Sequence, residues 1–407
     1  MEEWKEYKLK DVTTILGDGL HGTPKYDKNG NVFFINGNNL VDGKIEIKDS
    51  TKRVSEDEAN KYRRNLNHRT ILVSINGTIG NVAKYKGETC ILGKSACYFN
   101  VAEDFDLDFI YYVVASKQFR NTITRLATGT TIKNVSLETM RNYSFVAPSI
   151  NGQKSISSML SSLDNKIELN HRINDNLEQQ AQALFKSWFV DTPNPDWEET
   201  TLSEVASFIG GYSYKGDELA DSSDIAMATI KNFGRNGGFK VDGFKDITPS
   251  TKLKECQYVD MFDVLVAHTD LTQNADVIGN AELLLTYGKY DRVIFSMDLV
   301  KVLPKNNFPY KFLLAAMLKN KIFKGHCLGY VNGTTVLHLN KKALPEFEIR
   351  IPSEYEARTM NDTLTPYFEQ MAGVLQENER LIRLRDTLLP KLMSGELKIS
   401  DIETAYE

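Results

Sequence analysis

The chain carries the same pattern twice, and this duplication limits its fold more than any other feature. Segments of the first half recur in order in the second half, first at an offset of 193 residues and later at 204. The matched pairs are Trp4–Val12 with Trp197–Val205, Thr70–Ser74 with Asp263–Ala267, Gly129–Ile132 with Gly333–Val336, and Phe145–Ser149 with Ile349–Ser353. A constant offset, one insertion and a second constant offset indicate a duplicated unit. The sequence therefore predicts two similar domains.

Each copy has a globular part followed by a helical part. The globular part alternates short apolar runs with clusters of Gly, Asn and Asp, which is typical of strands and turns, and it adds helical patches at 56–66 and 107–126. The helical part begins after the Pro-Ser pair of each copy. This pattern divides the chain into a first globular domain (1–150), a first spacer helix (151–192), a second globular domain (193–352), and a second spacer helix with the C-terminal tail (353–407).

Mostly apolar residues at alternating three- and four-residue steps form a seam in both helical parts, as in a coiled coil. The predicted helix-pairing residues are Leu160, Leu163, Ile167, Asn174, Leu177 and Leu184 in the first helix, and Leu364, Met371, Asn378, Leu381 and Leu388 in the second. Asn174 and Asn378 occupy the same place in the two copies. A buried Asn there would fix the register of the pair, whereas an Asn at a wet edge would only be hydrated. Pro366 and Pro390 predict a late start or bend, and a break, in the second helix.

These patterns predict an α+β fold, in which two long helices separate two similar globular α/β domains. The helices are expected to pair as an antiparallel coiled coil, which would give the chain an internal pseudo-twofold axis. Residues 160 to 188 would span about 42 Å as a helix, and DNA half-sites one turn apart are separated by roughly 34–36 Å. Such a spacer could hold two readers over successive major grooves. Because the two domains differ in sequence, their half-sites should differ.

Composition excludes some classes of protein and leaves others open. The net charge is −5, and residues 353–407 alone carry 6 Lys/Arg against 11 Asp/Glu. A DNA-binding protein needs a local basic surface and not a basic total, so charge does not decide. No apolar run is long enough to cross a bilayer, and no signal peptide is visible at the N-terminus. The four cysteines are scattered without a Cys-x-x-Cys pair, which favours reduced thiols in the cytoplasm.

The sequence contains no organised catalytic or metal-binding motif. Gly87–Ser95 resembles a phosphate-binding loop but has five residues between its glycines where that motif needs four. The pair His326-Cys327 has no second pair at ligand spacing, so packing is the favoured role. We therefore expect no catalytic residue, no metal site and no cofactor in this chain.

Four segments resemble those of type I restriction-modification specificity subunits, and the resemblance covers essentially the whole chain. They are Gly22–Pro24, Ile71–Gly80, Gln179–Asp191 at the end of the first helix, and Leu388–Leu397 at the end of the second. The second domain departs from the pattern, because His268–Gln273 stands where the first domain has its Gly-Thr-Ile-Gly run. The resemblance implies two target-recognition domains and a non-catalytic role in choosing the DNA sequence.

The resemblance also implies partners. Two methyltransferase subunits would bind S-adenosylmethionine, and two restriction subunits would bind ATP and magnesium. The helices of this chain would then dock the methyltransferase subunits, and the target would be an asymmetric, bipartite double-stranded DNA sequence in which adenine is methylated.

Bases are read by side chains with two hydrogen-bonding groups, chiefly Arg and Lys for guanine and Asn and Gln for adenine, and loops after strands are the natural place for them. The predicted DNA-binding residues of the first domain are Asn36, Asn38, Asn39, Asn76, Thr78, Lys133 and Asn134. Those of the second domain are Lys231, Asn232, Arg235, Asn236, Thr269, Gln273, Asn274, Thr335 and His338. For any single residue the alternative is that Asn and its neighbours only shape turns.

A different class of function fits the same architecture. A duplicated coiled-coil adaptor would bind proteins through its helices and would not bind DNA. Retention of duplex DNA at low salt, where phosphate contacts are strongest, separates the two hypotheses.

Overall fold

The computed structural model describes residues 4–129, 132–235 and 237–399. It divides into two compact units, each made from a globular domain and parts of two long helices. The first unit comprises residues 1–166 and 382–407, and the second comprises 167–381. No helix among the described residues is both long enough and apolar enough to span a membrane.

The strands of the first unit are short. In chain order they are β1 (Lys5–Lys8), β2 (Thr13–Asp18), β3 (Val32–Ile35), β4 (Leu40–Val41), β5 (Lys44–Ile45), β6 (Arg53–Val54), β7 (Thr70–Ser74), β8 (Val82–Lys84), β9 (Cys90–Leu92), β10 (Ala96–Val101) and β11 (Ser144–Ala147). Its short helices are α1 (Glu56–Asn60), α2 (Leu107–Ala115), α3 (Lys117–Leu126) and α4 (Leu137–Arg141). The first long helix is α5 (Ile150–Lys186), which continues as a π-helical turn over Ser187–Asp191.

The second unit has a similar order of elements with some additions and losses. Its strands are β12 (Glu198–Thr201), β13 (Ala206–Gly210), β14 (Ile225–Ala228), β15 (Lys245–Asp246), β16 (Tyr258–Val259), β17 (Val264–Ala267), β18 (Thr269–Asp270), β19 (Ala281–Leu283), β20 (Arg292–Phe295), β21 (Leu299–Pro304), β22 (Val331–Asn332), β23 (Leu337–Leu339) and β24 (Glu348–Ile351). Its helices are α6 (Leu202–Val205), α7 (Lys311–Leu318), α8 (Lys321–Leu328) and the second long helix, α9 (Glu354–Ser394).

The central sheets of the two units have the same topology. The first unit orders four antiparallel strands as β2-β10-β7-β8, and the second orders the matching strands as β13-β21-β17-β19. A smaller sheet in each unit contains one parallel pair, β3 with β9 and β14 with β20. The strand at the start of each copy pairs with the strand before its long helix, β1 with β11 and β12 with β24. This confirms the two similar domains predicted from the duplication.

The two long helices run antiparallel within each unit. In the first unit Asp164 of α5 accepts a hydrogen bond from Arg385 of α9, and Leu160 shares a buried cluster with Leu392 further along the chain. In the second unit Asn170 of α5 donates to Asn378 of α9. Leu177 then lies in the same cluster as earlier residues of α9, including Leu364. The helices thus pass each other in opposite directions, as expected for the predicted coiled coil.

The seam residues are buried or half-buried. Leu160, Ile167, Leu177, Leu364, Met371 and Asn378 are buried, and Leu163, Asn174, Leu184, Leu381 and Leu388 are half-buried. Asn378 therefore does not lie at a wet edge. Its carboxamide oxygen accepts from Nδ2 of Asn170 at 2.8 Å, which makes Asn170 the cross-seam partner of Asn378.

The expected late start and break in the second helix were wrong, because α9 is helical from Glu354 to Ser394. Proline removes one hydrogen bond to the carbonyl four residues earlier. Both prolines and the two residues that carry those carbonyls, Asp362 and Asp386, are exposed. Water can therefore satisfy the freed carbonyls, and the buried seam keeps the helix continuous.

Candidate nucleic-acid interface

In each unit one loop leaves the end of a central strand and is held in place by backbone hydrogen bonds. In the first unit the loop 75–81 joins β7 to β8. It closes through Ser74, whose N–H donates to Asn81 O at 2.8 Å and whose carbonyl accepts from Gly80 N at 2.9 Å. In the second unit the loop 268–280 joins β17 to β19, and Ala267 makes the same two bonds with Asn280 and Gly279, at 2.9 and 3.0 Å. We call these segments the reading loops.

The two reading loops correspond closely at their C-terminal ends, although the offsets of 193 and 204 residues do not align them there. Thr78-Ile-Gly-Asn81 of the first loop matches Val277-Ile-Gly-Asn280 of the second. Gly80 and Gly279 both have positive φ, +85° and +75°, a backbone conformation that favours glycine. The apparent departure at His268–Gln273 is an insertion within the loop, after which the shared pattern resumes.

A buried carboxylate organises the inserted residues of the second reading loop. Asp270 is 3% exposed, and it accepts from Thr272 N at 2.7 Å, from Thr272 Oγ1 at 2.8 Å and from Val277 N at 2.8 Å. These bonds fold the insertion back on itself and leave Gln273 and Asn274 at the surface. The longer loop is therefore a structured feature of the second unit.

Each reading loop pairs with a later segment of its own unit. Asn76 forms a β-bridge with Asn134 in the first unit, and Thr269 pairs with His338 at the matching positions of the second. Gly129 and Gly333 turn the chain into these segments with φ of +105° and +114°. Gly129 and Gly333, the first residues of the repeated Gly-Thr-Thr pattern, therefore precede the segment that pairs with each reading loop. Thr130 and Thr131 lie outside the described residues.

The structure brings several predicted residues of the first unit together at this surface. Asn76 Nδ2 donates to Asn134 Oδ1 at 3.4 Å. Gly77 N donates to Lys133 O at 3.4 Å, so the backbones of the two segments run side by side. Thr78, Lys133 and Asn134 are exposed, and Asn76 is half-buried. Asn76, Lys133 and Asn134 therefore lie on two adjacent segments, and Thr78 lies on the same reading loop as Asn76.

The corresponding surface of the second unit presents different side chains. Gln273, Asn274, Thr335 and His338 are exposed. Gln273 Nε2 donates to Thr334 O at 2.7 Å, which joins the reading loop to the later segment. Beside His338, the pKa of the His268 imidazole is lowered, first by burial and then by the nearby His338 and Lys341. His268 is therefore neutral at pH 7.

Three predicted residues shape the loops from inside. Asn39 and Asn232 occupy matching 3-10 turns, and each accepts from a backbone N–H three residues earlier, that of Asn36 at 3.1 Å and that of Thr229 at 2.8 Å. Both are buried, as is Thr269, whose hydroxyl donates to Asp298 at 2.9 Å. The expectation that these three side chains face DNA is corrected here, because burial leaves them no access to a duplex.

The remaining predicted residues lie on the neighbouring turns. Asn36 is half-buried, and its Oδ1 accepts from Ser95 at 3.0 Å. Asn38, Lys231 and Arg235 are exposed, and Arg235 lies 3.5 Å from Asp276 of the second reading loop. Asn236 lies outside the described residues.

Two asparagines that were not among the predicted residues connect these turns to the reading loops. Asn81 Nδ2 donates to Leu40 O at 3.0 Å, and Asn280 Nδ2 donates to Gly234 O at 2.8 Å. Both asparagines follow the positive-φ glycine of the shared Ile-Gly-Asn pattern, which was the signal that could have identified them. The bonds hold each reading loop against the turn of its own unit.

The described residues contain no group of three or more His, Cys, Asp or Glu able to hold a metal ion. Cys90, Cys97 and Cys327 are buried free thiols, and burial raises the pKa of Cys90 and of Cys327 to about 12. These thiols are therefore protonated packing groups. The polar side chains of the reading loops are amides and hydroxyls, with an imidazole and two carboxylates in the second loop.

This duplicated arrangement is accompanied by a clear family match. The model of the type I restriction modification DNA specificity domain matches residues 1–179 and 194–381. The chain belongs to this family.

Individual members of the family resemble the chain over almost its full length. The HindI specificity subunit of Haemophilus influenzae is 23% identical, with 98% of this chain and 100% of the relative covered. The MjaIX specificity subunit of Methanocaldococcus jannaschii is also 23% identical, over 98% of this chain and 95% of the relative. The crystal structure of an S subunit from M. genitalium has the same fold, with a TM-score of 0.55 at 19% identity over 96% of each chain.

Proposed function

We propose that the chain reads an asymmetric, bipartite duplex DNA sequence, one half with each reading loop and its neighbouring segment. The observation that carries this proposal is that equivalent loop frames present different side chains. Exposed Asn134 stands in the first unit where exposed His338 stands in the second. Different donors and acceptors at the same point of a groove select different base pairs.

Within the assembly, the chain supplies specificity and its partners supply chemistry. It recruits two methyltransferase subunits, which bind S-adenosylmethionine, and two restriction subunits, which bind ATP and magnesium. Adenine is the methylated base, and the chain works in the cytoplasm without a cofactor or catalytic centre of its own. The specificity family to which the chain belongs supports this role over that of an adaptor that binds only proteins.

Modified-base sequencing of cells that express the chain with its methyltransferase tests the proposal. We expect one methylated motif made of two unlike halves separated by unspecified bases. Asn134→Ala and His338→Ala serve as matched variants, since each alters the equivalent position of one unit and leaves the other unit as its control.

Each substitution should relax the motif in one half only. A good bidentate contact, of the kind that Asn makes to adenine, gives about 1–3 kcal/mol of discrimination, and a single bond from His338 should give less. A symmetric or undivided motif would contradict the proposal. If both variants left the motif unchanged, Asn134 and His338 would not be base-contacting residues. Failure of the complex to retain any duplex DNA at low salt would favour the protein-binding adaptor.

A further inference from the structure

One cation of each unit reaches from a helix to the backbone of its reading loop. Arg120 of α3 donates from Nη2 to Gly80 O at 3.1 Å and to Asn81 Oδ1 at 3.2 Å. Lys324 of α8 donates from Nζ to Asp276 O at 2.6 Å. The two residues are equivalent, because they lie at the same offset of 204 residues as the matched glycines 129 and 333.

The helices that carry these cations are fixed in the same way. Ser116 caps α3 by accepting from Phe119 N at 3.1 Å, and Asn320 caps α8 by accepting from Phe323 N at 3.1 Å. Phe119 and Phe323 are 0% exposed, so each helix start is anchored in a core. The cation follows one residue after the buried Phe in both copies. The backbone that carries each cation is therefore held in a fixed position.

Helix and reading loop are in close contact in both units. A Cβ atom on Gly80 would lie 2.8 Å from Cγ of Arg120, and one on Gly279 would lie 2.6 Å from Cβ of Cys327. No side chain fits in either gap, so the glycines permit the approach that brings each cation to its carbonyl. Partial burial of Lys324 lowers the pKa of its amine, which fits an ammonium that has exchanged water for the loop carbonyl.

We infer that Arg120 and Lys324 are a duplicated pair of positioning residues, each of which holds the reading loop of its own unit in the conformation that discriminates bases. The inference rests on the proposed function. It goes further by assigning half-site discrimination to two cations that are not themselves readers. Loss of one cation should loosen one reading loop and should leave the other as it was.

The competing role for an exposed cation near DNA is a phosphate contact, and the two roles have different signatures. Loss of a phosphate contact weakens binding to all sequences alike and reduces the slope of log affinity against log salt by about one. Loss of a loop-positioning bond lowers the ratio of cognate to altered-site affinity and leaves the salt slope of the remaining contacts intact.

The experiment uses the full chain in complex with its methyltransferase and duplexes that carry the motif found by modified-base sequencing. Fluorescence anisotropy compares the cognate duplex with duplexes altered by one base pair in either half, over a series of salt concentrations. The variants are Arg120→Met and Lys324→Met, which keep most of the unbranched apolar part of the side chain but remove the donor. Lys117→Met and Lys321→Met are matched controls, since they remove an exposed cation three residues earlier on the same helices.

We expect Arg120→Met to lower discrimination in one half-site by about ten-fold, the effect of losing one charge-assisted hydrogen bond, and Lys324→Met to do the same in the other half. Arg120→Lys and Lys324→Arg should retain most of the discrimination, because each copy already uses the other's cation. Thermal unfolding of the variants should match that of the Lys117→Met and Lys321→Met controls.

Several results would overturn the inference. They are unchanged discrimination in both methionine variants, an equal loss in both halves, or a uniform loss of affinity with a smaller salt slope. Failure of the unsubstituted complex to distinguish any sequence would instead overturn the proposed function, and the inference with it.

Discussion

The two units dock their globular domains on the long helices at matching places but with different chemistry. In the first unit Tyr112 of α2 donates to Asp164 of α5 at 2.6 Å, and Arg385 of α9 donates to the same carboxylate at 2.9 Å. At the matching positions of the second unit stand Ala316, Phe368 and Ala181. Phe368 is 1% exposed and stacks on Phe312 with ring centroids 5.5 Å apart. A polar contact in one copy is thus an apolar contact in the other.

A second place shows the reverse. In the second unit Lys319 lies beside two carboxylates, those of Glu282 and of Glu178 of α5, the latter at 3.5 Å. All three side chains are buried or nearly so. The matching positions of the first unit are Ala115, Ala83 and Ile382. Of these three residues Ala83 is buried, whereas Ala115 and Ile382 are exposed, so the first unit has neither the charges nor the buried setting of this network.

The different positions of the polar networks indicate which features of the duplicated unit the two copies share. Apolar burial supplies most of the stabilisation, at about 25 cal/mol per Å², but it is not directional. A hydrogen-bonded network adds direction, since its groups are satisfied in one arrangement only. Each of the two networks joins the globular domain of its unit to a long helix, and its position differs between the copies. Because of these networks, the segments of the long helices in the two units contact their globular domains through different residues.

The largest predicted effect comes from removing the apolar contact of the second unit. Phe368→Ala should destabilise that unit by about 3–5 kcal/mol, the usual cost of a buried Phe-to-Ala change. Amide hydrogen exchange followed by mass spectrometry measures each unit separately. Peptides from 202–375 should exchange faster, and those from the first unit should not.

Tyr355→Ala on the same helix is the control, because Tyr355 is 80% exposed. If first-unit peptides were to lose as much protection as second-unit peptides, the two docking sites would not be independent and the comparison would fail.

The charged network of the second unit provides the next test. Lys319→Ala should cost about 3 kcal/mol or more, because it leaves the carboxylate of Glu282 buried without its cation. The triple variant Glu178→Ile, Glu282→Ala and Lys319→Ala installs the residues of the first unit. It should recover most of the lost stability, since replacing a whole buried ion network with apolar groups is often close to neutral.

The measurement is again exchange protection in the second unit. A triple variant less stable than Lys319→Ala alone would show that the two carboxylates stabilise the second unit by more than the cost of burying their charges. Gly238 N, which donates to Glu282 at 2.6 Å, would then be the group to examine.

Much of the fold could be predicted from local sequence patterns. The glycines at 129 and 333 marked the turns beside both reading loops because a positive φ restricts residue choice at a single position. The three-and-four spacing placed Leu160, Ile167 and Leu364 in the seam because helix periodicity is local. The prolines of α9 were misread because the cost of a proline depends on whether water reaches the freed carbonyl, which is a tertiary property.

The contacts between the globular domains and the long helices could not be predicted from local sequence patterns. The side chains of Asp164 and Tyr112 are 52 residues apart in the chain, and neither has a neighbour in sequence that reveals the other. Asn39 and Asn232 lie in turn-rich segments, but a turn signal does not say whether the side chain points inward. The match between Gly80 and Gly279 was hidden because the insertion in the second reading loop changes the offset between the copies.

The polar network of the first unit predicts a smaller loss. Asp164→Ala leaves the hydroxyl of Tyr112 with only Ser161 Oγ, at 3.4 Å, and the guanidinium of Arg385 with only Asp386. Asp164 and Arg385 retain 32% and 29% of their side-chain exposure, so water replaces part of what is lost and the expected cost is about 1 kcal/mol. First-unit peptides should lose protection, and second-unit peptides should not. Asp386→Ala is the control, since Asp386 contacts Arg385 but not Tyr112; a loss as large as that of Asp164→Ala would rule out the tyrosine as the important partner.

The smallest effect concerns a carboxylate that joins two segments in each unit. In the second unit Glu218 accepts from Tyr212 Oη at 2.5 Å, from Lys215 N at 2.6 Å and from Ser250 N at 2.8 Å. In the first unit Glu58 accepts from Lys25 N at 2.9 Å. The bond from Tyr212, followed by those from the backbone, lowers the pKa of Glu218 from 4.5 to about 2. The pKa of Glu58 is also lowered, first by the bond from Lys25 N.

A carboxyl whose pKa is lower in the folded than in the unfolded chain adds stability above the unfolded value. The contribution of Glu218 is therefore present at neutral pH, begins to fall near pH 4.5 and is lost as the pH approaches about 2. Glu218→Gln should be less protected than the unsubstituted chain around Tyr212 and Ser250 at pH 7, and the difference should narrow as the pH drops below about 4.5. Comparing the two chains at each pH cancels the intrinsic pH dependence of exchange. Glu58→Gln should show the same trend around Lys25 in the first unit only, and a difference that widens towards acid would mean that the carboxylate is destabilising in the fold.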